Sequence, residues 1–170
     1  MRQEVCSAIA DFLVEAKKLT KHYYQTKRLF SQKGKVLRAV DGISFQIRRG
    51  ETLGLVGESG CGKSTTGRLL LRLIEPTAGE VYFRGRPIFS LKKREMQRLR
   101  QQMQMIFQDP FSSLNPRMTV EEAIGEPLSI HRLVKSRGEK KEKVAELMRL
   151  VDLNPEDAGK FPHEFSGGQR

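Results

Sequence analysis

At 170 residues, 38% of them apolar, the chain has the size of one domain and can bury a core. Its 31 Lys and Arg against 20 Asp and Glu give a formal net charge of +11 and a pI near 10.0, a balance that suits an acidic partner: nucleic acid, anionic lipid or phosphate. Cys6 and Cys61 are too far apart in sequence for a metal pair and too few for a disulfide framework, which fits a reducing compartment. No run approaches the roughly eighteen apolar residues of a membrane-spanning helix. The stretch Met1 to Asp11 lacks the sustained apolar segment of an export signal. The expectation is a soluble protein that meets a membrane only through a partner.

Residues 12–20 alternate imperfectly and are predicted as a strand. His22, Tyr23 and Tyr24 follow, and then Gln25 to Lys35, basic and turn-rich, is predicted as a long hairpin loop. Val36–Val40 and Ile43–Ile47 are predicted as two further strands. Arg49-Gly50-Glu51 turns the chain into Thr52-Leu53-Gly54-Leu55-Val56, a short apolar run predicted as a buried strand. A mostly apolar helix is expected over Thr66–Ile74. After it come a turn at Pro76–Gly79, a strand over Glu80–Arg84 and a surface helix over Ser90–Gln101. That helix carries Lys92, Lys93, Arg94, Arg98 and Arg100, and without interleaved aromatics a solvated face is favoured over a nucleic-acid patch. Gln104–Phe107 is predicted as another buried strand. Thr119 and Glu122 form a capping box opening a helix toward Ile124, which Gly125 and Pro127 interrupt or bend. Glu139–Val151 is expected to be an amphipathic helix packing Val144, Leu147, Met148 and Val151 within the helical region.

Between the apolar run and the first helix lies Gly57-Glu58-Ser59-Gly60-Cys61-Gly62-Lys63-Ser64-Thr65, which fits G-x-x-x-x-G-K-[ST] with the strand and helix that motif requires. Glycines admit the backbone close to phosphates, while successive N–H groups and the helix N-terminus supply positive potential. Lys63 is the candidate for the β- and γ-phosphates, and Ser64 for Mg²⁺. The reading is a nucleoside triphosphate site. Cys61 needs only to be small, and no redox role is assigned to it.

The chain closes on Phe165-Ser166-Gly167-Gly168-Gln169-Arg170. About a hundred residues after the phosphate loop, this closely resembles the signature sequence of ABC-type ATPases. In that resemblance Tyr23 is the aromatic that stacks on adenine, and Gln108 is the Q-loop glutamine that meets Mg²⁺ and the γ-phosphate. Ser166, Gly167, Gly168 and Gln169 contact in trans the ATP of a second subunit. The wording of Val56–Thr65, of Phe107-Gln108-Asp109-Pro110 with Ser113–Thr119, and of Pro162–Gln169 is similar to the bacterial dipeptide/oligopeptide/nickel importers, most of all their second ATPase subunit.

The resemblance implies an α/β fold: a P-loop NTPase of ABC type, with a RecA-like core, an antiparallel β subdomain and a helical subdomain. Residues 12–108 would supply the β subdomain and phosphate-loop core, and 109–170 the helical subdomain up to the signature. It implies ATP and Mg²⁺ as ligands. Its implied partners are a second ATPase subunit, two permease subunits and an extracytoplasmic solute-binding protein, on the inner face of the plasma membrane without direct nucleic-acid contact. The alternative is a non-transport ABC ATPase acting on nucleic acid, which would call for zinc-binding cysteine pairs or a helical insertion that this sequence lacks. An unrelated P-loop kinase or GTPase would call for a base-recognition run such as Asn-Lys-x-Asp, also not found. No residue stands where the family has its acidic strand end, its catalytic Glu or its later His. The family's strands flanking the phosphate-loop strand follow the signature as well. A partial domain is therefore expected, incomplete at its C-terminal side, poorly soluble, able to bind ATP, and without hydrolysis or an ATP-dependent dimer of its own.

Overall fold

The computed structural model describes residues 12–24, 36–109 and 113–170. It divides into two compact units, Met1–Met105 and Ile106–Arg170.

The first unit is built on an antiparallel sheet of order β2-β1-β3-β4. Strand β1 (Phe12–Tyr24) pairs with β2 (Val36–Arg48) from Phe12↔Arg48 to Tyr24↔Val36. The expected connecting loop, 25–35, lies outside the described residues, but its flanking strands do form the predicted hairpin. The two strands expected over 36–47 are one continuous strand. Bulges absorb the irregular alternation seen in the sequence: Lys18 takes a left-handed φ of 47°, and its N–H donates to Ser44 Oγ at 2.8 Å. Strand β3 (Ala78–Phe83) lines the other side of β1. Gly79, φ 87°, sits so close to the Lys18 carbonyl that any Cβ there would overlap it. Strand β4 (Arg86–Pro87) returns through the turn Arg84-Gly85, whose φ values of 49° and 74° suit a type I′ hairpin.

Helix α1 (Lys63–Leu70) and helix α2 (Lys93–Leu99) cover this sheet. Leu69, Met96 and Leu99 join Val14, Ala16, Leu19, Val40, Val81, Phe83 and Ile88 in one buried cluster. Helix α1 is shorter than predicted. Arg72 adopts φ 49° and donates to the carbonyls of Ile88 and Leu91 at 3.1 and 2.8 Å, so its guanidinium satisfies loop acceptors where further helical turns were expected. The basic residues of α2 are exposed above buried Met96 and Leu99, as a solvated face requires.

Two predicted strands are not strands. Residues 52–56 and 104–107 have no ladder partner among the described residues, and apart from half-buried Met105 their apolar side chains face solvent, with Val56 93% and Ile106 97% exposed. An extended segment becomes a strand only when a neighbour takes its N–H and C=O groups. The RecA-like parallel sheet is accordingly not formed among the described residues, whereas the antiparallel and helical parts are.

The second unit packs α3 (Val120–Ile130) against α4 (Arg137–Leu150), with 3₁₀ turns at Pro155–Gly159 and Pro162–Glu164. The capping box holds: Thr119 Oγ1 accepts from Glu122 N–H at 3.2 Å, and Glu122 Oε2 accepts from Thr119 N–H at 2.9 Å. Helix α3 runs on through Gly125 and Pro127 rather than stopping. Gly125 has a packing reason, because a Cβ there would meet Lys140 Cδ at 3.0 Å, where the α4 lysine stem crosses α3. Leu128, Val144 and Met148 form the buried core, flanked by Leu147. Val151, expected on the same stripe, is the exposed C-cap of α4.

Candidate functional site

The loop Gly57–Gly62 leads straight into α1. Gly62 is the N-cap at φ 100°, and no side chain caps the helix, so the first amides of α1 are left to an outside acceptor. Gly62 is also pinned from behind: a Cβ would overlap the Ala39 carbonyl and lie 3.6 Å from Val40 Cγ2. The sheet strand β2 is thus the seat of the loop. Gly60 turns the chain at φ 83° with open space around it, and a Cβ at Gly57 would meet Cys61 Sγ at 2.6 Å. Glycine is required at two of these points for different reasons, handedness at Gly60 and close approach at Gly62.

The Lys63 ammonium folds back over the loop, donating to the carbonyls of Gly57 and Glu58 at 2.6 Å each and lying 3.4 Å from Cys61 Sγ. It stands in the mouth of the loop as a cation with carbonyl partners it can exchange for anionic oxygens. Ser64 is exposed on the first turn, and Thr66 behind it is buried, its hydroxyl donating to Gly62 O at 3.1 Å. A hard oxygen beside an uncapped helix start fits Mg²⁺ held mainly by phosphates and water. Glu58, Ser59 and Thr65 complete the loop, with Glu58 and Ser59 exposed and Thr65 half-buried.

Tyr23 lies in the same unit. It pairs with Leu37, two residues along β2 from Ala39, a separation of about 7 Å along a strand. Its ring is 42% exposed, and Lys21 Nζ lies 5.0 Å from the ring centroid. His22 donates to Asp41 Oδ1 at 2.9 Å, and this bond holds the Asp41 carboxyl below its ordinary range, helped by Arg38. This cluster fixes the β1–β2 register beside Tyr23. Tyr24 is more exposed, at 67%.

Gln108 and Ser166–Gln169 belong to the second unit. Gln108 is an exposed residue at a bend. Ser166–Gln169 forms a turn. Gln169 Oε1 accepts from Ser166 N–H at 3.0 Å, and Ser166 O accepts from the N–H groups of Gln169 and Arg170 at 3.1 and 3.3 Å. Ser-x-x-Gln is half of a capping box, and that spacing was available in the sequence. Buried Phe165 anchors the turn, and the Arg170 guanidinium donates to Phe165 O at 2.8 Å. The role of Ala39 as the seat of Gly62 had no sequence signal, since the contact spans 23 residues of chain.

The ABC transporter family matches residues 40–170. The oligopeptide transport ATP-binding protein OppF of Bacillus subtilis is 53% identical over 159 residues, 93% of this chain and 50% of OppF. AppF of the same organism, also an oligopeptide transport ATP-binding protein, is 47% identical over 96% of this chain and 50% of its own. The glutathione import ATP-binding protein GsiA of Pectobacterium atrosepticum is 45% identical over 99% of this chain and 27% of GsiA. The chain spans about half the length of the first two. Among solved structures, the dimeric ATP-binding cassette MJ0796, in a post-hydrolysis state bound to ADP and Pi, superposes with a TM-score of 0.72 at 28% identity. That match covers 92% of this chain and 64% of MJ0796.

Proposed function

The chain belongs to the ABC transporter family, and from that premise we propose that it is the ATP-binding part of a peptide-importer ATPase subunit. The observation that carries the proposal is the loop Gly57–Gly62, seated on β2 and opening an uncapped α1, with Lys63 folded over its mouth. The uncapped amides and Lys63 bind the phosphates, with Gly57, Glu58, Ser59, Gly60, Cys61, Gly62 and Thr65 shaping the cradle around them. Lys63 releases its two loop carbonyls and takes phosphate oxygens in their place. Ser64 holds Mg²⁺, which when bound neutralises phosphate charge and fixes the geometry of the phosphate chain. Tyr23 offers its exposed ring to adenine.

By the family resemblance, Gln108 would sense the γ-phosphate and Mg²⁺. The turn at Ser166 would present its hydroxyl, with the Gly167, Gly168 and Gln169 backbone, to the ATP of a second ATPase subunit. A ligand can close such a dimer only through contacts it has in the closed state and lacks in the open one. Two permease subunits and an extracytoplasmic solute-binding protein would complete the importer. No helix among the described residues is long and apolar enough to cross a membrane, and those permeases would hold the subunit at the cytoplasmic face. The similar proteins bear transport names, which favours this reading over the nucleic-acid one.

Titration with a fluorescent ATP analogue tests the proposal. Lys63→Ala should weaken binding by about 1.5–3 kcal/mol, the range of a charge-assisted contact. An unchanged affinity would remove Lys63 from the phosphate site.

A further inference from the structure

The segment 84–100 carries seven Arg and Lys and a single acidic residue, Glu95. The fold brings the hairpin cations beside those that open α2, while Arg100 donates to the Arg72 carbonyl at 3.0 Å. Arg84 and Gly85 form the β3–β4 turn, and Arg86 Nη2 reaches Glu95 Oε1 at 3.2 Å, joining the hairpin to the first turn of α2. The other oxygen of Glu95 accepts from Lys92 N–H at 3.0 Å, so this carboxylate is spent on both sides. Lys92, Lys93, Arg94 and Arg98 are exposed. No ion pair involves them among the described residues.

Two features of this surface run against local preference. Lys92, Lys93 and Arg94 stand at the N-cap and first two positions of α2, where the helix dipole disfavours positive charge. Arg84 occupies a left-handed turn position at φ 49°, which Asn or Gly would take more easily. Both place a cation on the surface at a local cost: Arg84 Cζ lies 5.2 Å from the Phe83 ring centroid, whereas no ion pair among the described residues uses Lys92, Lys93 or Arg94. Buried Met96 and Leu99 already fix α2 against the sheet without their help. Such uncompensated departures mark functional surfaces.

We infer that the β3–β4 turn and the exposed side of α2 form a direct contact surface for an anionic phospholipid bilayer. The inference rests on the importer reading, which brings the chain to a membrane face, and it departs from the expectation that contact runs through a partner alone. A cluster of four to eight Lys and Arg in about this compass is the usual electrostatic footprint for anionic headgroups. The face carries no exposed aromatic for stacking bases, since Phe83 is buried and Phe89 is half-buried against the core.

Co-sedimentation of the 170-residue chain with phosphatidylcholine vesicles, with and without one-quarter phosphatidylglycerol, tests this. Retention on the anionic vesicles alone, weakened by added salt, is expected. At about fivefold per cation, Lys92→Gln, Lys93→Gln and Arg94→Gln together should lower partitioning by roughly a hundredfold. They should also raise the thermal midpoint slightly, because the helix start is relieved of like charge. The control variant Lys135→Gln, Arg137→Gln and Lys141→Gln removes the same charge from the second unit and should stay within about threefold of the parent. Equal losses in the two variants would mean that net charge alone acts, and would overturn the inference. So would absence from anionic vesicles, or displacement from them by a short RNA duplex that binds more tightly. Nucleotide binding measured on the same samples separates the two readings. Failure of the parent chain to bind anionic vesicles, with its nucleotide binding intact, sinks this inference alone, and a parent chain that binds the vesicles but no nucleotide sinks only the function proposed above.

Discussion

Gly60 and Gly62 offer a matched pair of substitutions that separates backbone handedness from close packing. Both have left-handed φ, 83° and 100°, so alanine at either incurs the strain of that region, about 1–2 kcal/mol. Around Gly60 nothing lies within 4 Å of a built Cβ, and the strain should be the whole effect. At Gly62 the same methyl would overlap the Ala39 carbonyl, which belongs to β2 and lies between the paired residues Arg38 and Val40. Backbone cannot rotate aside as a side chain can. The loop must lift from its seat, and overpacking of this kind adds about 1–3 kcal/mol. Gly60→Ala should therefore cost about 1–2 kcal/mol and Gly62→Ala about 2–5 kcal/mol, a large part of a typical domain's 5–15 kcal/mol.

Urea denaturation followed by circular dichroism measures the pair, and titration with a fluorescent ATP analogue reports the loop. Gly60→Ala should keep nucleotide affinity within a few-fold. Gly62→Ala should lose at least tenfold, because lifting the loop turns the amides of α1 away from the phosphates they are aimed at. Equal destabilisation by the two substitutions would refute the reasoning, for it would mean that the Ala39 carbonyl is no barrier and that β2 is not the seat of the loop.

Tyr23→Ala should weaken ATP binding by about 0.5–1.5 kcal/mol; loss in Tyr24→Ala with Tyr23→Ala unchanged, read by the same titration, would shift the adenine contact by one residue. Asp41 has a depressed pKa through its bond from His22, so its stabilisation is present above the ordinary aspartate range and is lost as pH falls through the depressed value. Melting midpoints between about pH 6 and about pH 3 should accordingly fall less steeply in Asp41→Asn than in the parent, and parallel curves would leave Asp41 without that role. In a complete subunit Gln108→Ala should spare ATP binding and reduce turnover, and abolished binding in equilibrium titration would make the glutamine structural. The 170-residue chain should show no phosphate release above background, because no residue of the sequence matches the family's catalytic Glu. Mg²⁺-dependent turnover lost on Lys63→Ala would place that base within these residues.

What could be read from the sequence divides along the reach of the forces involved. The phosphate loop was legible because its conformation is local. Left-handed glycines, a lysine six residues from the carbonyl it folds onto, and an uncapped helix start all lie within nine consecutive residues. The Thr119 box and the Arg84-Gly85 turn were equally local, though only the first was recognised. The apolar run Leu53-Gly54-Leu55-Val56 is different. Its composition states the surroundings in which it would be a strand, buried on both faces in a parallel sheet, but a ladder is made by two segments and composition describes one. With no neighbour among the described residues, the same side chains that predicted burial stand in solvent, Leu55 51% and Val56 93% exposed. Gly125 shows the opposite error, because a residue that weakens a helix in isolation is the one that lets Lys140 cross it. The consequence for the site is specific. The front of the loop is organised by its own residues and by β2, whereas the apolar run that enters it has no lateral support among the described residues. An unpaired apolar segment of this kind is a template for edge pairing and aggregation. Charge on that run, such as Leu55→Lys, should therefore improve solubility of the 170-residue chain, measured as the soluble fraction after expression, while leaving the Gly62–Ala39 seat and nucleotide affinity unchanged. A parallel loss of affinity would show that residues 52–56 hold the loop in place after all.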